Sequence, residues 1–351
     1  MVKGLRGQYA HRDYGGDLLP VRYTPSADGF ITKGTSTLYD DEGNVRLTWV
    51  KEAADSRRHE EIVRETVAAF MEPLKGLHKP SKSPITDTND CLTNYIIGDA
   101  HLGLYAWKPE TGDDSDVKIA TRDLMAAADR LVASTPNSKE CLIVQLGDFF
   151  HLNDYTNATP TGGNQLDVDT RLPNVIRSGI NTLRYIVDQA LNKHATVRVR
   201  NVAGNHDPTA VLTLTEALRG YYHENDRVII EDSLKALFTH RFGSNLIGIT
   251  HGHQPKPEKL AGCLAVDAGK DWGECEHKFV WHGHIHHKRV IEDLTCIVES
   301  FRTLAGKDKW HADSGYRSGR EMQAIILHKD WGEIERHTAG IGMVRDNQGR
   351  R

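Results

Sequence analysis

The sequence lacks the features typical of secreted, membrane-bound and strongly basic proteins. Only five of its 351 residues are cysteine, and no two form a Cys-x-x-Cys pair, so we expect no disulfide framework and a reducing compartment. No apolar run has the length of a signal peptide or a membrane helix, so we expect no membrane partner and a cytoplasmic location. The 44 Lys and Arg nearly balance the 48 Asp and Glu, for a net charge of −4. Nothing therefore indicates a basic nucleic-acid surface, although bound divalent cations would add positive charge that this count omits.

Histidine, in contrast, occurs 19 times, and many of these residues belong to five short motifs. Each motif directly follows an apolar run. In chain order the motifs are Asp99-Ala100-His101, Gly147-Asp148, Gly204-Asn205-His206-Asp207, His251-Gly252-His253 and Gly283-His284-Ile285-His286. Any single motif can arise by chance, but the ordered set is hard to obtain that way. Together the motifs supply oxygen and imidazole ligands for two metal ions.

Residues 1–90 are predicted to form an N-terminal appendage and linker. Two apolar stretches, at 30–31 and 45–50, flank a turn-forming segment at 40–44, which indicates a hairpin. Apolar residues at helical spacing between 62 and 74 predict one amphipathic helix, and the polar, proline-containing segment 78–90 predicts a linker. The helix mixes arginine with glutamate, so packing, oligomerisation or a partner is favoured over a basic arm for DNA.

From residue 91 onward, the pattern predicts a layered α/β domain that extends to residue 351. Strands are predicted at 92–97, 141–146 and 197–202, with helices at 121–134 and 171–193 between them. Strands then dominate, at 228–230, 237–242, 246–250, 278–281, 295–299 and 322–327. This distribution favours two sheets flanked by helices over one doubly wound sheet. Each motif falls at the carboxyl end of a strand, where α/β folds gather functional loops.

In their order, the five motifs resemble those of the calcineurin-like metallophosphoesterase superfamily: Asp-x-His, Gly-Asp, Gly-Asn-His-Asp/Glu, His and Gly-His-x-His. The resemblance covers residues 98–286 and leaves no ligand position vacant. It implies a four-layer α/β-β/α sandwich of two mixed sheets, to which the hairpin and helix of residues 1–90 would be appended.

The resemblance also implies a dinuclear metal centre. One ion would be held by Asp99, His101 and His286, the other by Asn205, His251 and His284, and Asp148 would bridge them. Two cations about 3.5–4 Å apart can bind a shared hydroxide and hold the attacking and leaving oxygens of an in-line displacement at phosphorus. We expect two divalent ions, with Mn favoured and Fe, Zn, Ni or Mg as alternatives.

Further residues beside the ligands are implied to act on the substrate. His206 would protonate the leaving oxygen or stabilise developing charge, and Asp207 would orient its imidazole. His151 matches a position that can face the substrate in one branch of the superfamily. His253 lies beside a predicted ligand and is a candidate for substrate contact.

Two details favour a phosphodiester substrate. The segments Asp99-Ala100-His101-Leu102-Gly103 and Gly147-Asp148-Phe149-Phe150-His151 look like signatures of SbcD-type DNA-repair nucleases, and the Gly-Asp-x-Val-Asp-Arg-Gly motif of serine/threonine protein phosphatases is absent. Such nucleases carry a substantial DNA-capping domain after the last motif, whereas only 65 residues follow His286 here. Single-stranded nucleic acid or a small phosphodiester is therefore favoured over a long duplex.

Two polar segments could extend the site. Residues 152–173 lack core periodicity, and a loop longer than about 15 residues is usually functional or disordered; this one could wall the site. Residues 310–320 combine aromatic side chains with cations, among them Arg317 and Arg320, that could hold phosphate and base. A solvated loop is an equal alternative for the second segment.

The sequence thus predicts a dinuclear metal-dependent phosphoesterase that hydrolyses phosphodiesters by metal-bound hydroxide, without a covalent enzyme intermediate. A nuclease acting on DNA is the preferred function. The alternatives are a nucleotidase, a small-molecule phosphatase or a cyclic-nucleotide phosphodiesterase, and a non-catalytic scaffold of the same fold. The complete ligand set and His206 argue against the scaffold.

Overall fold

The computed structural model describes residues 30–54, 75–78 and 81–348. By its internal contacts the chain divides into two units, residues 1–69 and 70–351. The division predicted at residue 90 stays a prediction, because residues 55–74 lie outside the described ranges. Within those ranges, no helix has both the length and the apolar character needed to cross a bilayer.

The described part of the first unit is a β-hairpin. Its strands are β1 (Phe30–Tyr39) and β2 (Val45–Ala54), which pair antiparallel with Leu38 opposite Leu47. The turn is closed by the Asp40 carboxylate, which accepts from the backbone N–H groups of Glu42 (3.1 Å) and Asn44 (2.7 Å). The sequence predicted this hairpin. The helix predicted at 62–74 lies outside the described residues.

Two mixed β-sheets form the centre of the second unit. The order in the six-stranded sheet is β13 (Gly332–Gly340), β12 (Glu321–His328), β3 (Thr88–Ile97), β4 (Ser138–Gln145), β5 (Thr196–Asn201) and β6 (Val228–Glu231). The strands from β3 to β6 are parallel, and β12 is antiparallel to both β3 and β13. The five-stranded sheet has the order β10 (Arg289–Asp293), β11 (Cys296–Ser300), β9 (His277–His282), β8 (Asn245–Ile249) and β7 (Phe238–Phe242).

Helices accompany both sheets. In chain order they are α1 (Lys108–Thr111), α2 (Val117–Ser134), α3 (Leu172–Leu191), α4 (Ala210–Tyr221), α5 (Pro257–Asp267), α6 (Gly269–Glu274), α7 (Lys309–Asp313) and α8 (Ile341–Gln348). Local sequence explains where several begin. Asp116 caps α2 by accepting from the backbone N–H of Ile119 at 2.7 Å, and proline occupies the first turn of α3 and α5.

Three apolar clusters separate four layers. Alternate residues of β3 face opposite ways: Tyr95 and Ile97 join a cluster with α2, α3 and α4, whereas Leu92 and Ile96 join a cluster with the other sheet. The cluster between the sheets includes Leu142 and Val144 of β4, Ile247 and Ile249 of β8, and Phe279 and Trp281 of β9. A third cluster packs α5 on the outer face of the five-stranded sheet. The predicted four-layer sandwich of two mixed sheets is confirmed.

Elements with little apolar periodicity were not predicted. Strand β13 has the sequence GEIERHTAG and exposes Glu333 and Glu335 at the sheet edge, where charge discourages pairing with another chain. Strand β10 is likewise mostly exposed at the edge of the other sheet. An edge strand needs no continuous apolar run, so these strands escape a search for buried ones. All five cysteines are free.

Candidate metal centre

The five motifs meet where strands of the two sheets end. Asp99, Asp148 and Asn205 follow β3, β4 and β5, three neighbouring parallel strands of the six-stranded sheet. His251 and His284 follow β8 and β9, which are neighbours and parallel in the other sheet. The carboxyl ends of parallel strands lie at one edge of a sheet, so the fold brings all five loops together.

The first side-chain cluster contains Asp99, His101 and His286. Their ligand atoms lie within 4.8 Å of one another. His286 Nε2 is 3.1 Å from His101 Nε2 and 3.5 Å from Asp99 Oδ1. The Asp99 carboxylate is fixed by the His284 backbone N–H, which lies 2.9 and 3.1 Å from its two oxygens. Two imidazole nitrogens and a buried carboxylate oxygen around one point form a donor set that fits a divalent metal ion.

The second cluster contains Asp148, His251 and His284, again with ligand atoms within 4.8 Å of one another. His251 Nε2 lies 3.2 Å from Asp148 Oδ2 and 3.0 Å from Asn205 Oδ1. The other ring nitrogen, Nδ1, donates to the Leu146 carbonyl at 2.8 Å. A carbonyl can only accept, so this bond fixes a proton on Nδ1, and once Nε2 has lost its proton its lone pair faces the cluster, as in many metal-binding histidines.

Backbone conformation marks the same residues independently. Seven non-glycine residues in the described ranges have positive φ, and five of them are predicted ligands: Asp99 (30°), His101 (44°), Asp148 (49°), His284 (71°) and His286 (56°). This region costs a side-chain-bearing residue about 1–3 kcal/mol and persists where the surroundings impose it, commonly at functional sites. Backbone strain at these five positions therefore accompanies the convergence of their side chains.

Two motif glycines are required by close approach. At Gly204 a Cβ atom would overlap the Asp148 carboxylate, and at Gly147, whose φ is 99°, it would overlap the His251 ring. Any larger residue at these positions would displace a predicted ligand.

Burial and neighbouring charges shift the pKa values of the three residues in the second cluster in different directions. Burial raises the pKa of Asp148, but the neighbouring His251 and His206 lower it more, and the net shift is downward. Burial lowers the pKa of His251, but the Asp148 carboxylate raises it more, to about 9. For His284, burial dominates and the pKa falls to about 4. Without a metal, the cluster at neutral pH therefore holds a carboxylate, an imidazolium at His251 and a neutral His284.

Metal binding at this cluster should consequently depend on pH. A histidine must lose its proton to bind a metal, so affinity should rise by about ten-fold per pH unit as pH approaches 9, where His251 is half deprotonated. Above that pH the affinity should level off. Calorimetric Mn²⁺ titration in buffers of different ionisation enthalpy measures how many protons are released when the metal binds. We expect this cluster to release about one proton per chain near pH 7. A His251→Asn variant serves as the control and should bind more weakly without that proton release. An affinity constant between pH 6 and 8 would contradict the assignment.

His206 lies beside the first cluster with a fixed ring. Its Nδ1 donates to the His151 carbonyl at 2.9 Å, and its backbone N–H donates to Asp148 Oδ1 at 2.8 Å. The ring packs edge-on against His101, with centroids 4.8 Å apart. These contacts leave Nε2 as the free ring nitrogen, next to the predicted ligands.

The predicted role of Asp207 needs correction. Its carboxylate is fully buried and accepts from the backbone N–H groups of Phe150 (3.0 Å) and Gly204 (3.0 Å) instead of the His206 ring. Burial and the nearby Asp148 charge raise the pKa of Asp207 to about 7. Asp207 therefore ties the second motif to the third, while the His151 carbonyl orients His206. From sequence, a carboxylate adjacent to a histidine looked like its partner, but consecutive side chains in this loop point apart.

His151 also differs from its prediction as a substrate-facing residue. The side chain is fully buried, stacks on His206 with centroids 5.3 Å apart, and places Nδ1 3.2 Å from His101 Nδ1. Burial lowers its pKa to about 3, so it is neutral, and its buried Nε2 has no hydrogen-bond partner. His151 packs against His101 and His206 inside the protein, and its side chain does not reach solvent.

The predicted substrate contacts separate into two groups. His253 is exposed, with its ring centroid 5.2 Å from that of His251. Arg317 is exposed and has no carboxylate partner among the described residues; it donates to the carbonyls of Ala312 (3.1 Å) and Tyr316 (2.8 Å). Arg320, by contrast, pairs with Asp113 and donates to the Leu304 carbonyl at 2.9 Å. The prediction that Arg320 binds substrate is therefore not supported, because its guanidinium is committed within the fold.

One pair near the centre was missed in the sequence. His311 Nδ1 lies 2.6 Å from Asp308 Oδ1, and the His311 ring stacks on His286 with centroids 4.9 Å apart. Both residues are buried. The spacing Asp-x-x-His at the start of a short helix was the available signal, but it lies outside the five motifs.

The loop at 152–173 is tied to the start of a helix near each of its ends. Near its start, the Asn153 side-chain oxygen accepts from the backbone N–H groups of Thr209 (2.7 Å) and Ala210 (3.1 Å), where α4 begins just after His206. Near its end, Asp169 accepts from the Val117 N–H at 3.1 Å. The loop thus holds the third motif in place; a role in walling the substrate stays a prediction.

Comparison with protein-family models found no match, and comparison with curated proteins found none either. Among solved structures, the chain is similar to a novel archaeal phosphodiesterase, with 17% identity, coverage of 71% of this chain and 99% of that one, and a TM-score of 0.35. It is also similar to a dimetal phosphatase from Danio rerio, with 11% identity, coverage of 71% of this chain and 99% of that one, and a TM-score of 0.38. A third similar structure is Vps29 from Entamoeba histolytica complexed with Zn²⁺, with 12% identity, coverage of 71% of this chain and 99% of that one, and a TM-score of 0.27. Values this low transfer no activity to this chain.

Proposed function

We propose that the chain, whose fold and motif order are those of the calcineurin-like metallophosphoesterases, is a dinuclear metal-dependent phosphodiesterase that acts as a nuclease. The observation that carries the proposal is the convergence of the two His and carboxylate clusters, five of whose six members adopt strained positive φ values. A surface that merely bound a partner would have no need of this strain or of buried, mutually facing imidazoles.

Asp99, His101 and His286 would hold one ion, and Asn205, His251 and His284 the other, with Asp148 between them. When bound, such ions polarise a phosphoryl oxygen and lower the pKa of a coordinated water. The donor chemistry fits Mn²⁺ or a similar ion of the same series. If His101 offers Nε2 as a ligand, its Nδ1 carries the proton and donates to His151 Nδ1, which lies 3.2 Å away. His151 is then a positioning residue for His101.

His206 is the group placed to handle the leaving oxygen. Its Nδ1–H is held by the His151 carbonyl, so a protonated ring would direct Nε2–H toward a phosphoester seated at the clusters. In that position the imidazole can donate a proton to the departing oxygen or stabilise charge that develops on it.

The preference for a nuclease rests on the surroundings of the site. The flanking residues that resemble SbcD-type signatures, Leu102 and Phe150, are buried and pair with each other as a β-bridge, so they hold two motifs together and do not touch substrate. The exposed Arg317 carries a positive charge that suits a phosphodiester backbone, and the exposed His253 can donate a hydrogen bond to it.

The assay that tests the proposal compares four substrates with the Mn²⁺-loaded protein: single-stranded DNA, duplex DNA, bis-p-nitrophenyl phosphate and p-nitrophenyl phosphate. We expect hydrolysis of both the small diester and single-stranded DNA, and little of the monoester. Cleavage of the monoester alone would reject the nuclease and support a phosphatase. Metal binding without hydrolysis of any substrate would favour a scaffold.

A further inference from the structure

Three rings form a continuous group beside the predicted ligand His286. We call Trp310, His311 and Tyr316 the α7 ring cluster. Trp310 lies 5.1 Å from His311 and 5.7 Å from Tyr316, and His311 lies 5.0 Å from Tyr316, measured between ring centroids. The cluster reaches the metal centre through His311, which stacks on His286, and through Tyr316, which is 6.1 Å from the same ring.

The cluster is held rigidly by hydrogen bonds. Asp308 caps α7 by accepting from the His311 backbone N–H at 2.8 Å, and the same oxygen binds His311 Nδ1. The Tyr316 backbone N–H donates to the His311 carbonyl at 3.0 Å. A surface that is already ordered loses little conformational entropy when a ligand binds, which favours recognition.

Trp310 lies outside the apolar core. Its side chain is 62% exposed and belongs to none of the three core clusters. A large aromatic ring left in water beside a catalytic centre is characteristic of a surface that binds a flat, partly apolar group.

The local charges favour a base over a phosphate as the group bound by this ring. Lys309, the neighbour of Trp310, is paired with Asp313 at 2.9 Å and Glu110 at 3.7 Å, so its charge is balanced. Arg317, without a carboxylate partner in the described ranges, donates to the carbonyls of Ala312 and Tyr316. Stacking on an aromatic ring contributes about 1–3 kcal/mol per base and requires no net positive surface, which agrees with a chain of net charge −4.

We infer that Trp310 stacks on the base of a nucleotide next to the phosphodiester bound at the clusters, and that the substrate is therefore an unpaired nucleic-acid strand. The inference rests on the proposed function for the position of the scissile phosphate. A base can reach the Trp310 face only if it is unstacked from a duplex, so the α7 ring cluster selects single strands or strand ends.

Binding tests this inference without catalysis. Fluorescence anisotropy would measure the dissociation constant of a short, labelled, hydrolysis-resistant phosphorothioate oligothymidylate for the full-length, Mn²⁺-loaded protein. We expect Trp310→Ala to weaken binding by about 5- to 100-fold and Trp310→Phe to retain most of the affinity. The matched control is Trp331→Ala. Trp331 is 70% exposed and stacks on His328, but it lies at the opposite end of the sheet, since His328 pairs with Cys91 at the start of β3.

An abasic oligonucleotide of equal length separates stacking from backbone contacts. It should bind weakly and should respond to Trp310→Ala by less than about two-fold. The inference is overturned if Trp310→Ala, with an unchanged melting temperature, leaves oligothymidylate binding within two-fold of wild type, or if the abasic strand loses affinity equally. Failure of the proposed function would look different: no variant, wild type included, would hydrolyse a phosphodiester, whatever its affinity for the strand.

Discussion

Alanine in place of Asp148 is expected to lower phosphodiester hydrolysis by about a thousand-fold or more. Asp148 Oδ2 lies 3.2 Å from His251 Nε2, and Oδ1 accepts the His206 backbone N–H at 2.8 Å. The substitution therefore removes both the predicted bridging ligand and the hydrogen bond that holds the His206 backbone. It also removes the charge that raises the pKa of His251, so the proton release on metal binding should shrink at the same time.

Asp148→Asn separates the loss of the bridging charge from the loss of the hydrogen bond to His206. The amide keeps an oxygen that can accept the His206 N–H, but it has no charge with which to bridge two cations. We expect its activity to be nearly as low as that of the alanine variant, with Mn²⁺ stoichiometry reduced below two per chain. Asp267→Ala, at the exposed end of α5, is the control and should behave as wild type. Full activity of Asp148→Asn would exclude a bridging carboxylate at this position.

His206→Asn is expected to lower kcat by about 10²- to 10⁴-fold while both metal ions stay bound. The His206 side chain belongs to neither predicted set of ion ligands, so metal affinity should change little. Its ring nevertheless lies against His101, with Nδ1 held by the His151 carbonyl. The effect should fall on kcat more than on KM, because the proton is needed only as the leaving oxygen departs.

The leaving group provides the diagnostic readout for His206. A p-nitrophenolate leaves without a proton, whereas a nucleoside oxygen needs one. The loss caused by His206→Asn should therefore be larger for an oligonucleotide than for bis-p-nitrophenyl phosphate. Equal losses would assign His206 to charge stabilisation instead of proton donation. The exposed His223→Asn is the control. Undiminished activity of His206→Asn on both substrates would contradict a catalytic role.

The central strands could be predicted from the sequence because they are apolar runs that end in short polar motifs. Strands β3, β4 and β5 are buried almost throughout their carboxyl halves, and such runs are visible in any sequence. The two clusters then follow from topology, since parallel neighbours end at the same edge.

The residues that surround the predicted metal ligands were harder to predict, because the direction of their hydrogen bonds depends on local backbone geometry. Asp207 follows His206 directly, yet its carboxylate faces Phe150 and Gly204. His151 follows the second motif by three residues, yet its side chain is buried beside His101. Arg320, a predicted substrate contact, instead pairs with Asp113, which is remote in sequence. His311, for which the sequence predicted no role, stacks on His286 from a helix of five residues.

The central claim is that two metal ions per chain create a centre that hydrolyses phosphodiesters. Titration of metal-free protein with Mn²⁺, with bound metal and hydrolysis of bis-p-nitrophenyl phosphate measured in the same samples, tests it most directly. We predict that activity is absent in EDTA and reaches its maximum as the second equivalent binds. Activity that persists without metal, or two tightly bound ions with no hydrolysis of any phosphodiester, would contradict the claim.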